Sequence, residues 1–169
     1  VGDPVITQVD NGYDLGQVTL TGELVRFQMK KKGVSQEIDE VNKILRLANQ
    51  EEIDKWHSLR DKEPYIQKRA RELALGLGLD MKLSDVEFQG DGKKATFYYT
   101  AEGRIDFRQL IKDMAHAFSI RIEMRQIGLR QEASRLGGIG SCGRELCCST
   151  WLTDYRSVST AAARYQQLS

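Results

Sequence analysis

The sequence predicts an α+β fold, and three observations carry that reading. Short apolar runs bounded by turn residues open the chain. From Pro64 the hydrophobic period switches in the order helix, strand, strand, helix, strand, and one β portion precedes that series. An N-terminal antiparallel β portion followed by a split βαβ, ferredoxin-like unit with a Gly/Cys-rich loop is the expected architecture.

Each element follows from local chemistry. Val5, Ile6 and Val9 lead into Asp10-Asn11-Gly12, and Asn-Gly accepts the positive φ of a hairpin turn. Leu15 to Leu20 and Leu24 to Met29 read as two further antiparallel strands, and Lys30-Lys31-Lys32-Gly33 breaks the pattern. From Gln36 to Arg60 the period becomes helical through Ile38, Val41, Ile44 or Leu45, and Ala48, with a charged, solvated face. Pro64 suits the first turn of a new helix, whose apolar stripe is Ile66, Ala70, Leu73 and Leu77 and whose end is marked by Gly76 and Gly78. Leu79, Met81, Leu83, Val86 and Phe88 form a strand, Gly90-Asp91-Gly92 a turn, and Ala95, Phe97, Tyr99 and Ala101 the returning strand. Asp106 is the expected N-cap of a helix carrying Phe107, Leu110, Ile111, Met114 and Phe118. Ile120, Ile122 and Met124 alternate with Arg121, Glu123 and Arg125 in the last strand. Three segments result: an N-terminal β portion over 1–33, a charged helical connector over 34–62, and an α+β core with the cysteine motif over 63–169.

Composition removes several function classes. The chain has 169 residues with 25 basic and 24 acidic side chains, so a net charge of +1 gives no bulk attraction to nucleic acid. No run approaches the roughly 18 apolar residues of a membrane span, so no membrane insertion is expected. Val1 to Asp10 lacks the basic start and apolar run of a signal peptide. Both ends read as cut: Val1-Gly2-Asp3-Pro4 carries no initiator methionine, and a helix from Thr160 to Leu168 lacks a C-cap.

After Ile127 the character of the chain changes. Gly128, Gly137, Gly138, Gly140 and Gly143 accompany Cys142, Cys147 and Cys148. An odd count of clustered cysteines, two of them adjacent, argues against a secreted disulfide framework and for reduced cytoplasmic thiols. The backbone of Gly137, Gly138, Gly140 and Gly143 can pass through conformations closed to other residues, presenting the thiols together. Three thiolates could hold a soft metal or an iron–sulfur cluster. Their spacing matches neither a zinc ribbon nor the common ferredoxin runs, and structural or redox-sensitive thiols are the competing reading. The histidines, His57 and His116, read as ordinary surface or packed side chains. No base is in evidence for a cysteine nucleophile, Gly138-x-Gly140 lacks the ending of a P-loop, and no enzyme is indicated.

From Ser119 onward seven arginines, no lysine and four acids leave a local surplus of three positive charges. Arg121, Arg125, Arg130, Arg135 and Arg144 are candidates for RNA, DNA or an acidic partner, against the alternative of local ion pairing. Trp151 and Tyr155 could stack on bases or pack inside.

The run Gly137-Gly138-Ile139-Gly140-Ser141-Cys142-Gly143-Arg144-Glu145-Leu146-Cys147-Cys148-Ser149-Thr150 resembles the signature of the bacterial RicT/YaaT family, which shares the polymerase-suppressor-protein C-terminal domain. Arg104-Ile105-Asp106-Phe107-Arg108, Arg121 to Gly128 and Asp10-Asn11-Gly12-Tyr13-Asp14-Leu15-Gly16 extend the likeness. The resemblance implies a cytoplasmic, non-catalytic regulatory protein that works with small Ric-type partner proteins in an iron–sulfur complex, of the four-iron four-sulfur type. That complex assists the membrane-anchored endoribonuclease Y in RNA processing, with links to sporulation, competence and biofilm development. Cys142, Cys147 and Cys148 become candidate cluster ligands through that likeness. It also implies a further cysteine-containing segment beyond Ser169, in which case the present chain carries part of a ligand set. Eukaryotic members are associated with nucleic-acid binding, which keeps the arginine reading open.

Overall fold

A computed structural model of the protein describes residues 1–9, 11–32 and 42–152, together with 159, 161 and 164. Eleven elements follow in order: β1 (Pro4–Val9), β2 (Gly12–Gln17), α1 (Glu23–Lys32), β3 (Ile44–Leu47), α2 (Gln50–Gly76), β4 (Lys82–Phe88), β5 (Lys94–Thr100), α3 (Arg108–Phe118), β6 (Arg121–Gln126), α4 (Leu129–Leu136) and α5 (Cys147–Thr150). The class is α+β, with a three-stranded antiparallel sheet ordered β2-β1-β3 at the N-terminus and a second sheet ordered β4-β5-β6.

The Asn11-Gly12 hairpin forms as its chemistry requires: Gly12 takes φ +113°, and β1 and β2 pair from Val9↔Gly12 to Pro4↔Gln17. Two neighbouring assignments need correction. Leu24 to Met29 is helical, not the third strand; Glu23 in its first turn complements the helix dipole. The third strand is instead Ile44–Leu47, drawn from the stretch read as helix, and it pairs antiparallel with β1. Asn49 stops any helical continuation there, because it begins the next helix: its side chain accepts the Glu52 N–H while the Glu52 carboxylate accepts the Asn49 N–H. Glu52 also binds Arg46 through both oxygens at 2.8 and 2.6 Å, and these contacts hold its carboxyl at about 2. Asp10, the segment from Gln36 to Val41, Tyr155 and most of the expected C-terminal helix lie outside the described residues.

Pro64 does not begin a helix. It sits inside one continuous helix of 27 residues, which also runs through the expected boundary at 62 and 63. The reason is phase: Ile53, Trp56, Leu59, Glu63, Ile66, Ala70 and Leu73 recur three or four apart straight across the proline, all at least half-buried. Pro64 itself points to solvent, where water can serve the carbonyl it leaves unpaired. Leu77 caps the helix and Gly78 turns the chain out at φ +65°.

The second sheet builds the main core. Its inner face carries Leu83, Val86, Phe88, Ala95, Phe97 and Tyr99, packed against Ala70 and Ala74 of α2 and Leu110 and Met114 of α3. Phe97, Leu110 and Met114 are fully buried, each contributing about 2–3 kcal/mol of transfer free energy. Phe118 stacks on Phe97 at 6.3 Å between ring centres, and Phe107 meets Tyr99 edge-on at 5.8 Å. The Asp106 carboxylate does accept the Arg108 N–H, at 3.2 Å, but the cap position itself falls on Phe107. β4 and β5 form an antiparallel hairpin, and α3 carries the chain to β6, parallel to β5 from Lys94↔Arg121 to Tyr99↔Gln126. The parallel strands β5 and β6 are direct neighbours, so among the described residues this βαβ unit has no strand inserted between its two arms, and β3, the strand that precedes it in the chain, pairs with β1. The outer face of the sheet, with Asp85, Glu87, Thr96, Tyr98, Arg121, Glu123 and Arg125, is left polar, and α4 covers part of it.

The two sheets meet turn against turn. Asp14 Oδ1 accepts the Gly90 N–H at 2.9 Å, Gln89 Nε2 donates to the Asn11 carbonyl at 2.9 Å, and Lys55 Nζ donates to the Asp91 carbonyl at 2.7 Å.

Candidate functional site: the cysteine hairpin and its supports

The glycine-rich segment is an ordered hairpin. α4 ends at Gly137 with φ +72°, and Gly138 follows at φ +146°. Ile139 and Glu145 then form an antiparallel bridge, closed by Gly140 N–H to Arg144 O at 2.8 Å and Leu146 N–H to Gly138 O at 3.0 Å. Gly143, at φ +78°, donates to the Gly140 carbonyl at 2.9 Å and turns the tip. Thus Gly137, Gly138 and Gly143 occupy the left-handed region that favours glycine, which is why this stretch can fold back within so few residues. The Leu146 side chain lies against Gly138 and Gly140 and fills the inside of the hairpin.

Cys142 stands at the tip and Cys147 opens the short helix α5; both are exposed, and Cys148 is half-buried. All three are free thiols. Cys142 Sγ folds back over Gly140, 3.6 Å from where a Cβ there would stand. Among the described residues, no three His, Cys, Asp or Glu side chains converge on a space fit for a metal ion. The hairpin offers Cys142 and Cys147 outward. Leu136, Ile139 and Trp151, in or next to the same segment, expose apolar side chains.

The hairpin is tied down through α4. Ser134 Oγ donates to the Cys148 carbonyl at 2.6 Å. Glu132, only 6% exposed, accepts from Ser84 Oγ and pairs with Lys82 Nζ at 2.9 Å, which pins α4 to β4. The Ser84 hydroxyl and then the Lys82 ammonium hold its carboxyl below the usual range. Sequence reasoning missed this residue; an acid in the first turn of a helix was its one local signal.

The arginines separate into different roles. Arg135 is committed: Nε binds Asp85 at 2.9 Å, Nη2 binds Glu87 at 3.0 Å, and its guanidinium lies 3.7 Å over the Tyr98 ring. Tyr98 donates to Glu87 at 2.9 Å; burial, then the Glu87 charge, raises its phenol above the ordinary value. Arg125 reaches the same small cleft as Arg135 and Tyr98, whereas Arg121 lines a larger cleft on the other side of the sheet face. Arg130 lies exposed on α4, and Arg144 is exposed at the hairpin tip. So the five do not make one continuous basic face: Asp85, Glu87 and Glu123 are interleaved among them, a charge balance that β4 brings from far away in sequence.

Residues 42–127, from just before β3 to just after β6, match the family model described as the PSP1 C-terminal conserved region. The chain belongs to the PSP1 C-terminal family. The match ends immediately before α4, so the cysteine hairpin of this PSP1-family chain lies outside the matched core. The likeness to the stage 0 sporulation protein YaaT of Bacillus subtilis does include the hairpin: 41% identity over 165 residues, 98% of this chain and 58% of that protein. An uncharacterized protein of Schizosaccharomyces pombe is 28% identical over 73% of the chain and 19% of its own length. Protein PSP1 of Saccharomyces cerevisiae is 50% identical over 44 residues, 26% of the chain and 5% of its own length. The chain thus spans less than two thirds of each of these relatives. No solved structure matches it. No helix among the described residues is long and apolar enough to cross a membrane.

Proposed function

We propose that this PSP1-family chain is a non-catalytic regulatory adaptor of the cytoplasm, like the sporulation protein it resembles, whose cysteine hairpin docks on partner proteins. Cys142, Cys147 and Cys148 are its candidate donors to an iron–sulfur cluster completed by sulfur ligands from a following segment or from small Ric-type partners. The assembled complex assists endoribonuclease Y-dependent RNA processing, and through it sporulation, competence and biofilm development. The observation that carries this reading is the outward presentation of two thiols on a hairpin that also exposes Ile139, closed by glycine turns and tied to α4. An adaptor needs such a surface; a resident cofactor of a single chain would need an enclosed one.

Anaerobic copurification with the candidate partners, followed by iron and sulfide assay and visible absorption, tests it. Iron and sulfide are expected in the complex, and Cys142→Ala is expected to reduce both while leaving the chain folded. A complex that forms free of iron, or one whose iron is indifferent to all three cysteines, ends the cluster part of the reading. Unchanged RNA intermediates in cells lacking the protein would end the RNA-processing part.

A further inference from the structure

The polar face of the second sheet, opposite the core, forms one wall of a cleft of about 710 Å³. The other wall is the β1–β2 turn and the residue leading into β3, so the cleft exists only because the two sheets meet there. Its size falls in the range that accepts a nucleotide-sized ligand. Its lining is polar, and the charges divide into two kinds.

The acids in the lining are already engaged. Glu123 binds Lys94 Nζ at 2.8 Å, Glu87 binds Tyr98 and Arg135, and Asp14 Oδ1 accepts the Leu15 and Gly90 N–H groups. Two cations in the lining are not. Lys93 and Arg121 sit side by side where β5 and β6 begin, with the Arg121 N–H bonded to the Lys93 carbonyl at 2.9 Å. Neither the ammonium nor the guanidinium makes a hydrogen bond or ion pair with another described residue, and Glu123, on which the Arg121 charge acts as a minor influence, is bound to Lys94. Asn11 and Asn42 line the same cleft, and their side-chain amides make no hydrogen bond with another described residue. Adjacent unpaired cations with neutral donors facing them across a cleft suit a tetrahedral oxyanion, which takes a guanidinium fork and an ammonium together.

We propose that this cleft binds a phosphate group of a nucleotide or of an RNA strand, with Arg121 and Lys93 as the charged pair and Asn11 and Asn42 as supporting donors. The site keeps one arginine of the five singled out by the sequence and adds three residues that sequence spacing never connected. It is independent of the cysteine hairpin, so the failure of either reading leaves the other standing.

The test is titration of the whole chain with inorganic phosphate, with adenosine monophosphate and with a single-stranded RNA of about ten nucleotides, followed by the amide resonances of the described residues. Shifts are expected at Lys93, Lys94 and Arg121 and in the β1–β2 turn. The double variant Lys93→Ala/Arg121→Gln should weaken binding about tenfold or more, while Lys68→Ala on exposed α2, which removes a charge remote from the cleft, leaves it unchanged. Monophosphate binding that matches or exceeds RNA binding identifies a small-molecule site. Tighter RNA binding with an affinity that falls steeply with salt identifies a strand. Shifts elsewhere, no binding of any of the three, or binding indifferent to the double variant with its fold intact, overturns the proposal.

Discussion

Gly90→Ala is expected to cost about 3 kcal/mol of folding stability and to lower the melting temperature by roughly 10 °C. A Cβ at this position would stand 2.6 Å from the Leu15 nitrogen and 3.1 and 3.2 Å from Asp14 backbone atoms. These obstacles are main-chain atoms of a paired strand, so no rotamer change relieves them. The same substitution at Gly12 meets a different obstacle: its Cβ would lie 2.1 Å from Asp91 Oδ2 and 2.8 Å from Gln89 Nε2, at a φ of +113°. Asp91 is buried, and its Oδ2 has no hydrogen-bond partner among the described residues. Removing that side chain should therefore rescue the part of the Gly12→Ala loss due to Asp91, not the parts due to the strained φ and to Gln89, and none of the Gly90→Ala loss. Denaturant unfolding of the single and double variants measures both. Losses below about 1 kcal/mol at Gly90 would mean that the turns do not meet as described.

Glu132→Ala is expected to cost about 2 kcal/mol and to loosen the cysteine hairpin. The substitution removes the carboxylate that Ser84 Oγ binds and frees Lys82, so α4 loses this buried attachment to β4 and keeps its Arg135 ion pairs to Asp85 and Glu87. Because Ser134 of the same helix holds the Cys148 carbonyl, alkylation of the half-buried Cys148 should accelerate severalfold. Glu132→Gln keeps an acceptor for Ser84 but not the charge for Lys82, and should fall between. The pH dependence has a definite sign. The folded carboxyl titrates below its unfolded value, so its stabilisation is complete above the unfolded pKa of about 4.3. That contribution is lost as pH falls through the lower, folded value. The wild-type protein should therefore lose its advantage over Glu132→Gln progressively as the pH falls from neutrality through the lowered, folded value. A gap that stays constant across the whole acid titration would remove the carboxylate from this role, and unchanged alkylation would remove α4 as the support of the hairpin.

The elements legible in the sequence are those whose local signals agree. The Asn11-Gly12 turn, the alternation through β4, β5 and β6, and the apolar stripe of α3 each pair a period with an appropriate boundary residue. The two misread segments carried conflicting signals. Leu24 to Met29 is apolar enough for a strand, yet Glu23 in the first turn suits a helix; Ile44–Leu47 fits a helical spacing that the N-cap Asn49 interrupts. Pro64 shows the limit of a local rule, since a stripe that stays in phase on both sides of a proline keeps the helix intact when the proline faces water.

At the candidate site the division has the same cause. Glycine positions and cysteine spacing are local properties, so the sequence by itself marked residues 137 to 148 as a glycine-rich loop carrying thiols, and marked where helices and strands of the core would alternate, whereas the closure of that loop into a hairpin came from the structure. Which charges are spent and which are available is a property of space. Asp85 and Glu87 reach Arg135 across about fifty positions of chain, and Ser84 reaches Glu132 across 48. Only the tertiary structure could decide that Arg135 is neutralised, that Glu132 is buried, and that Arg121 lies beside Lys93 in a cleft. Coulomb and hydrogen-bond energies depend on separation in ångströms, and the sheet, not the order of residues, sets those distances.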